Sequence, residues 1–441
     1  MKKARGTILP RSMDRWPDAR LKSYQLRALR HVLSYAYREL PFYRKRFDQA
    51  HFTPERFRSI TDLLHVPIFT KKDVLDAHDQ KKRFDVGLEK LDAPGQGVLC
   101  MTSGTLGTAF LYLSKKWASV RGDSLVRAYR WAGLRRGMRM LMAAPAWHSL
   151  AVQENRVLQR IGATCVIPWG TFLPQYASHF LNTILDVKPA FISIFLPMLY
   201  ALLAECRRRE MRPANAFKHV ETILVVGAPM TPRSREKLKR ELRVRDIFEG
   251  LGNPEGLTAM ECSFHSGHHI FLDCCFVEIL DPKTKQPLPP GQRGNVVITS
   301  LIPQGSLYVR YDTEDLGMIL PEPCECRRSW PLMKVYDRRA NSLHIAGQEI
   351  VPYDIRRCLD ELPELVNIPF ALVRSEKEMN SLKLLIQKPA MGDVEKLGMR
   401  VRNLLKKNFS FDTSEEWAEE LPHRWKGVTV IEEKDLRAVH G

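Results

Sequence analysis

From residue 97 onward, short apolar runs alternate with longer stretches in which apolar residues return every three or four positions. The runs at 138–144, 164–168, 190–195 and 222–226 read as strands with helices between them, a spacing that predicts a parallel, helix-covered sheet. The apolar stretch 189–204 is interrupted by Pro197 and followed by Arg207, Arg208 and Arg209. It reads as a buried strand feeding an amphipathic helix, so no stable membrane insertion is expected. After Val244 the pattern changes to short strands and turns at 276–280, 295–299 and 308–311, with a Pro-Pro-Gly turn at 289–291. This predicts an antiparallel β-subdomain. A charged stretch at 336–341 precedes a new strand at 342–346 and a helix at 353–362. Ahead of all this, 21–46 has helical spacing of Leu and Tyr, broken at Pro41. The fold class expected is α/β: a large N-terminal domain over 1–336, with a basic helical start at 1–90, helix-covered parallel sheets and a β-subdomain at about 262–335, then a small C-terminal α/β domain over 337–441.

Composition narrows the classes. A chain of 441 residues that is 44% hydrophobic supports a sizeable core and more than one domain. The net charge is +18, and the first fifty residues hold thirteen Lys and Arg against four Asp and Glu. That excess suits anionic ligands such as nucleotides or coenzymes, or a solvated basic helix face; no aromatic-basic alternation or finger motif points to nucleic acid, and none is expected as a partner. The basic N-terminus is not followed by an apolar signal core, and nine cysteines in such a chain argue for reduced thiols or metal ligands, so a cytoplasmic setting is expected.

The densest polar chemistry lies at 101–109, MTSGTLGTA, between two strand-like runs. Gly104 and Gly107 permit positive φ, and Thr102, Ser103, Thr105 and Thr108 add hydroxyl donors to backbone N–H groups. The combination suits a phosphate, and an ordinary polar hairpin turn has the same composition. In a parallel sheet, ligands gather at the carboxyl ends of strands, where Trp147, His148, Trp169 and the turn Gly227-Ala228-Pro229 also fall. The aromatic pair Phe42 and Tyr43 could wall a pocket or serve packing alone. Separately, Cys262, His269, Cys324 and Cys326 supply the Cys3His inventory of a closed structural zinc site, with His265, His268, Cys274 and Cys275 as rival ligands.

Taken together, these stretches resemble the adenylate-forming superfamily in its phenylacetate–CoA ligase branch, from about Arg38 to the C-terminus. The 101–109 loop is similar to that family's phosphate loop, SSGTTGKP, and Val226-Gly227-Ala228-Pro229-Met230 to its element beside the adenine. Residues 291–297, GQRGNVV, and 307–316, LYVRYDTEDL, give the most specific match. Residues 337–347 resemble the hinge, and 421–431, LPHRWKGVTVI, the segment bearing the adenylation lysine.

The resemblance implies ATP-dependent, AMP-forming activation of a carboxylic acid to an acyl-adenylate, followed by transfer to coenzyme A. It also implies a small C-terminal domain that is mobile about the hinge. Asp315 would accept from the ribose hydroxyls, Arg338 would support the nucleotide, and Lys426 would bridge the carboxylate and α-phosphate. Zinc-bearing relatives carry similar cysteines and a histidine. Trp147, Trp169 and Phe172 would line a pocket for an aryl or hydrophobic acid, while His148 could face the substrate or be a structural histidine.

Several positions depart from the pattern. Leu106 and Ala109 replace a Thr and a Pro of the phosphate loop, and Ala340 and Asn341 replace the hinge acids. Gly252 meets the position of the glutamate that holds Mg2+ when the alignment has no gap. A local shift brings in Glu255, a hard oxygen ligand, and Glu249 is the alternative. These changes leave two rival expectations: an acceptor that is an amine or a protein or carrier thiol, and a non-catalytic nucleotide-binding scaffold. A homodimer is compatible with either.

Overall fold

The structure is a computed structural model that describes residues 13–79, 97–101, 110–143, 149–168, 174–253, 255–302, 307–375, 380–389, 392–419, 421 and 430–438. It divides into two compact units: Met1–Ile167 with Ala190–Ile192 and Phe248–Lys334, and Pro168–Pro189 with Ser193–Ile247 and Val335–Gly441.

The first unit opens with the helix Asp18–Glu39, whose buried Leu21, Leu29, Val32, Leu33 and Ala36 fall at helical spacing. Pro41 ends that helix and starts the next, Pro41–Gln49, because a proline lacks the N–H a helix interior needs but suits a first turn. Phe42 and Tyr43 serve packing: Tyr43 is 1% exposed, and its ring meets those of Phe42, Phe47 and Phe69. Its hydroxyl donates to the Leu307 carbonyl and accepts from the Val309 N–H.

Strands Gly97–Met101 and Phe110–Ser114 pair antiparallel, with Met101 opposite Phe110. Strands Arg139–Met142 and Thr164–Val166 run parallel, connected through the helix Ser149–Ile161. The antiparallel part follows, with Gly294–Ser300 between Cys275–Leu280 and Tyr311–Ile319. Strand Thr258–Glu261 pairs with Asp246–Gly252 on one side and His268–Ile270 on the other. One expectation is corrected here. Residues 308–310 are not strand, because Arg310 takes φ 50°, and the regular strand begins only at Tyr311.

The second unit holds the helices Ala177–Val187, Leu196–Arg208 and Pro232–Leu242 and the strand Thr222–Val226. Its C-terminal part is a four-stranded sheet in the order Asp412–Ala418, Ser381–Gln387, Phe370–Arg374, Val430–Glu432. Leu372, Leu384 and Ile386 of this sheet bury against Ile355 of the helix Pro352–Leu359 and Val401 and Leu405 of Val394–Asn408. The cap of Pro232–Leu242 is also tied to this part. Thr231 Oγ1 accepts from the Ser234 N–H at 3.0 Å and donates to Asp360, while Lys237 Nζ donates to the Val366 carbonyl at 2.8 Å. Among the described residues, no helix is long and apolar enough to cross a membrane.

Candidate functional site

The residues brought together most tightly are the thiols and imidazole of the first unit. Cys262 follows the strand Thr258–Glu261, and His269 lies in His268–Ile270, opposite Met260. The intervening turn needs Gly267 at φ 148°, where an added Cβ would stand 2.7 Å from Leu320 Cδ1. Cys324 and Cys326 arrive from a second turn, closed by the Arg327 N–H on the Cys324 carbonyl at 3.0 Å. The four donor atoms all lie within 4.8 Å of one another. Cys262 Sγ is 3.5 Å from Cys324 Sγ, and Cys326 Sγ is 3.3 Å from His269 Nε2. These separations come within a few tenths of an ångström of the edges of a tetrahedron around zinc, roughly 3.5–3.8 Å for ordinary Zn–S and Zn–N bonds.

The electrostatics are those of a buried ligand set. His269 is 0% exposed and its Nδ1 donates to the Trp330 carbonyl at 3.1 Å, which fixes the tautomer and turns the Nε2 lone pair toward the sulfurs. Burial keeps this imidazole below its ordinary value and pushes the Cys262 thiol up to about 12. For Cys326, burial also acts upward, but hydrogen bonds from the Arg328 backbone and side chain and from Cys324, with the Arg328 charge, outweigh it and the thiol falls below the ordinary range. The rival ligands lie elsewhere. Cys274 Sγ donates to Ser124 Oγ at 3.2 Å, Cys275 is pushed up to about 12 by burial, and His265 and His268 face Glu261 and Glu249. A closed set of four ligands leaves no open position for chemistry.

The expected nucleotide residues divide between described and undescribed positions. Thr102, Ser103, Gly104, Thr105, Gly107 and Thr108 lie outside the described residues, as do Trp147, His148, Trp169, Phe172 and Lys426. In the first unit, Asp315 is half-buried on the strand Tyr311–Ile319, its N–H donating to Thr313 Oγ1 at 3.3 Å. Glu255 is half-buried in the turn before Thr258–Glu261, where its charge acts on Arg121 and Tyr308. In the second unit, Gly227 ends the strand Thr222–Val226 at φ 86°, and a Cβ there would stand 2.7 Å from Phe195 Cδ1. Only glycine meets both demands, so the turn carries an exposed backbone followed by half-buried Ala228 and Pro229. Arg338 is exposed at the end of the strand Leu332–Arg338, and Asp337 Oδ1 accepts from its N–H and from Asn341 Nδ2, both at 2.7 Å.

Comparison with known proteins follows the same lines. The chain is 28% identical over 382 residues to a phenylacetate-coenzyme A ligase of Thermus thermophilus, covering 85% of this chain and 83% of that protein. It is 28% identical to the Pseudomonas putida protein of the same name over 78% of this chain and 76% of that one. Among solved structures, 2-hydroxyisobutyryl-CoA ligase in its postadenylation state, in complex with 2-HIB-AMP, has the same fold, with a TM-score of 0.87 at 19% identity over 97% of this chain and 93% of that one. The family model for AMP-binding enzymes matches residues 49–301, more than half of the sequence, and on this extent the chain belongs to the AMP-binding enzyme family.

Proposed function

We propose that the protein is an ATP-dependent, AMP-forming acid ligase. It joins an aryl or other hydrophobic carboxylic acid to ATP, releases pyrophosphate, and passes the acyl group from the adenylate to coenzyme A. The observation that carries this reading is the likeness to phenylacetate-coenzyme A ligases, which in the Thermus thermophilus protein spans 85% of this chain. In this reading Asp315 accepts hydrogen bonds from the ribose hydroxyls, Gly227, Ala228 and Pro229 lie along the adenine, and Arg338 supports the nucleotide. The 102–108 loop cradles phosphate. Lys426 draws the attacking carboxylate and the α-phosphate together, and its charge offsets what develops as pyrophosphate leaves. Trp147, His148 and Trp169 bound the acid.

Mg2+, held by Glu255 or by Glu249, would neutralise the departing phosphates when bound. Zinc on Cys262, His269, Cys324 and Cys326 would pin two turns of the β-subdomain, and no step passes through it. Residues 337–441 act as the small domain that closes over the site, and the enzyme works in the cytoplasm, as a monomer or a homodimer.

Pyrophosphate exchange into ATP with a panel of aryl and aliphatic acids tests the proposal. Exchange stimulated by at least one acid, then thioester formation with coenzyme A, is expected. Lys426→Ala should lower exchange by about 10²-fold or more, as loss of one transition-state charge contact does. ATP binding without exchange for any acid would replace the ligase by a nucleotide-binding scaffold.

A further inference from the structure

The hairpin that presents Cys262 and His269 carries a second set of donors on its other face. Glu261 stands opposite His268 and Met260 opposite His269 in the ladder, so side-chain alternation sends Glu261 and His268 away from the thiols. Glu249, from the neighbouring strand Asp246–Gly252, joins them. One carboxylate oxygen of Glu249, one of Glu261 and one ring nitrogen of His268 lie within 4.8 Å of one another. All three residues are buried, at 6%, 3% and 7% exposure. The thiol centre uses none of the three, and only Glu249 enters the ligase reading, as the alternative to Glu255 for Mg2+; the site proposed here leaves that role to Glu255.

We propose that Glu249, Glu261 and His268 form a second divalent-cation site, taking a borderline-to-hard ion such as Mn2+ through two carboxylate oxygens and one imidazole nitrogen. The donor set selects this class: carboxylates suit Mg2+ and Mn2+, imidazole suits the first-row transition ions, and no thiolate is present to favour a softer one. Two carboxylates and a dication sum to zero charge, the form in which such groups are least costly to bury.

The arms are positioned in advance. Glu261 Oε2 accepts the Glu249 N–H at 2.8 Å and faces His265 Nδ1 at 3.1 Å, contacts that orient the carboxylate. His268 Nε2 and Glu249 Oε2 stand 3.9 Å apart, a span that an ion about 2.1 Å from each atom bridges. Three protein donors leave coordination positions for water or a small anionic ligand, unlike the closed centre on the opposite face.

The test is a Mn2+ titration of the full-length protein without nucleotide, with free Mn2+ followed by electron paramagnetic resonance. One Mn2+ per chain is expected. Affinity should fall at least tenfold in E249Q and in E261Q and stay unchanged in protein loaded with one Zn2+ per chain, whose thiol centre is already filled. A second readout guards against misfolded variants: Mn2+ should raise the melting temperature of the wild type in a concentration-dependent way, and that rise should vanish in E249D, which keeps the charge and shortens the arm. Three outcomes each overturn the site: no bound Mn2+, binding unchanged in both glutamine variants, or loss of Mn2+ binding once the thiol centre holds one Zn2+ per chain. A histidine held between the two carboxylates by hydrogen bonds alone would give the first.

Discussion

Arg310 grips Glu278 through two parallel contacts, Nε to Oε2 at 3.1 Å and Nη2 to Oε1 at 2.9 Å, and its Nη1 donates to the Val66 carbonyl at 2.7 Å. The two side chains are 3% and 8% exposed, so removing one partner strands the other away from water. Arg310→Met should cost about 3–5 kcal/mol in urea unfolding, and the double variant with Glu278→Leu should recover part of that loss. Gly227→Ala should destabilise by about 1–3 kcal/mol, because the positive φ and the Phe195 ring act together; thermal melting reads the loss. The sequence marks Gly227 and the four thiol-centre residues through motif and donor type alone. It does not show that Phe195 closes on Gly227, or that Arg310 is consumed by a buried partner thirty-two residues upstream. Those contacts depend on which strands become neighbours.

Elements were legible wherever the apolar period was regular. The strands Phe191–Phe195 and Thr222–Val226 and the break at Pro41 follow from pattern and from proline chemistry. The alternation Tyr-Val-Arg-Tyr at 308–311 misleads because it records burial in an irregular segment: Tyr308 and Val309 are 1% and 0% exposed without being strand. At the end of the helix Leu196–Arg208, Glu205 accepts from Arg208 Nε at 2.7 Å and Arg209 Nε at 2.6 Å, and Arg209 reaches the Ser178 carbonyl of the helix Ala177–Val187 at 3.1 Å. The Arg208 hydrogen bonds, with help from Arg209 and Ser178, pull Glu205 down to about 2. A depressed carboxylate contributes its stability above the ordinary glutamate range and loses it as pH falls through the folded value. The stability gap between wild type and Glu205→Gln should therefore be constant above about pH 5 and close between there and about pH 2, as urea midpoints across that range would report.

At the scale of the molecule, the α/β class and the family were readable because the signature stretches are contiguous in the chain. The second cation site was not, since Glu249, Glu261 and His268 converge only once three strands have paired. The thiol centre makes a global prediction. The purified protein should carry about one zinc per chain, and chelation should lower its melting temperature in a way that added zinc reverses, because a closed site binds the folded chain far better than the unfolded one. Thiols that titrate freely in the folded protein with no zinc present would refute this. The hairpin joining Thr258–Glu261 to His268–Ile270 presents opposite donor sets on its two faces, and a shift of one position would turn each set over to the other side. A one-residue insertion or deletion within either strand would therefore reverse the faces its donors present, and a single change there could remove both centres at once.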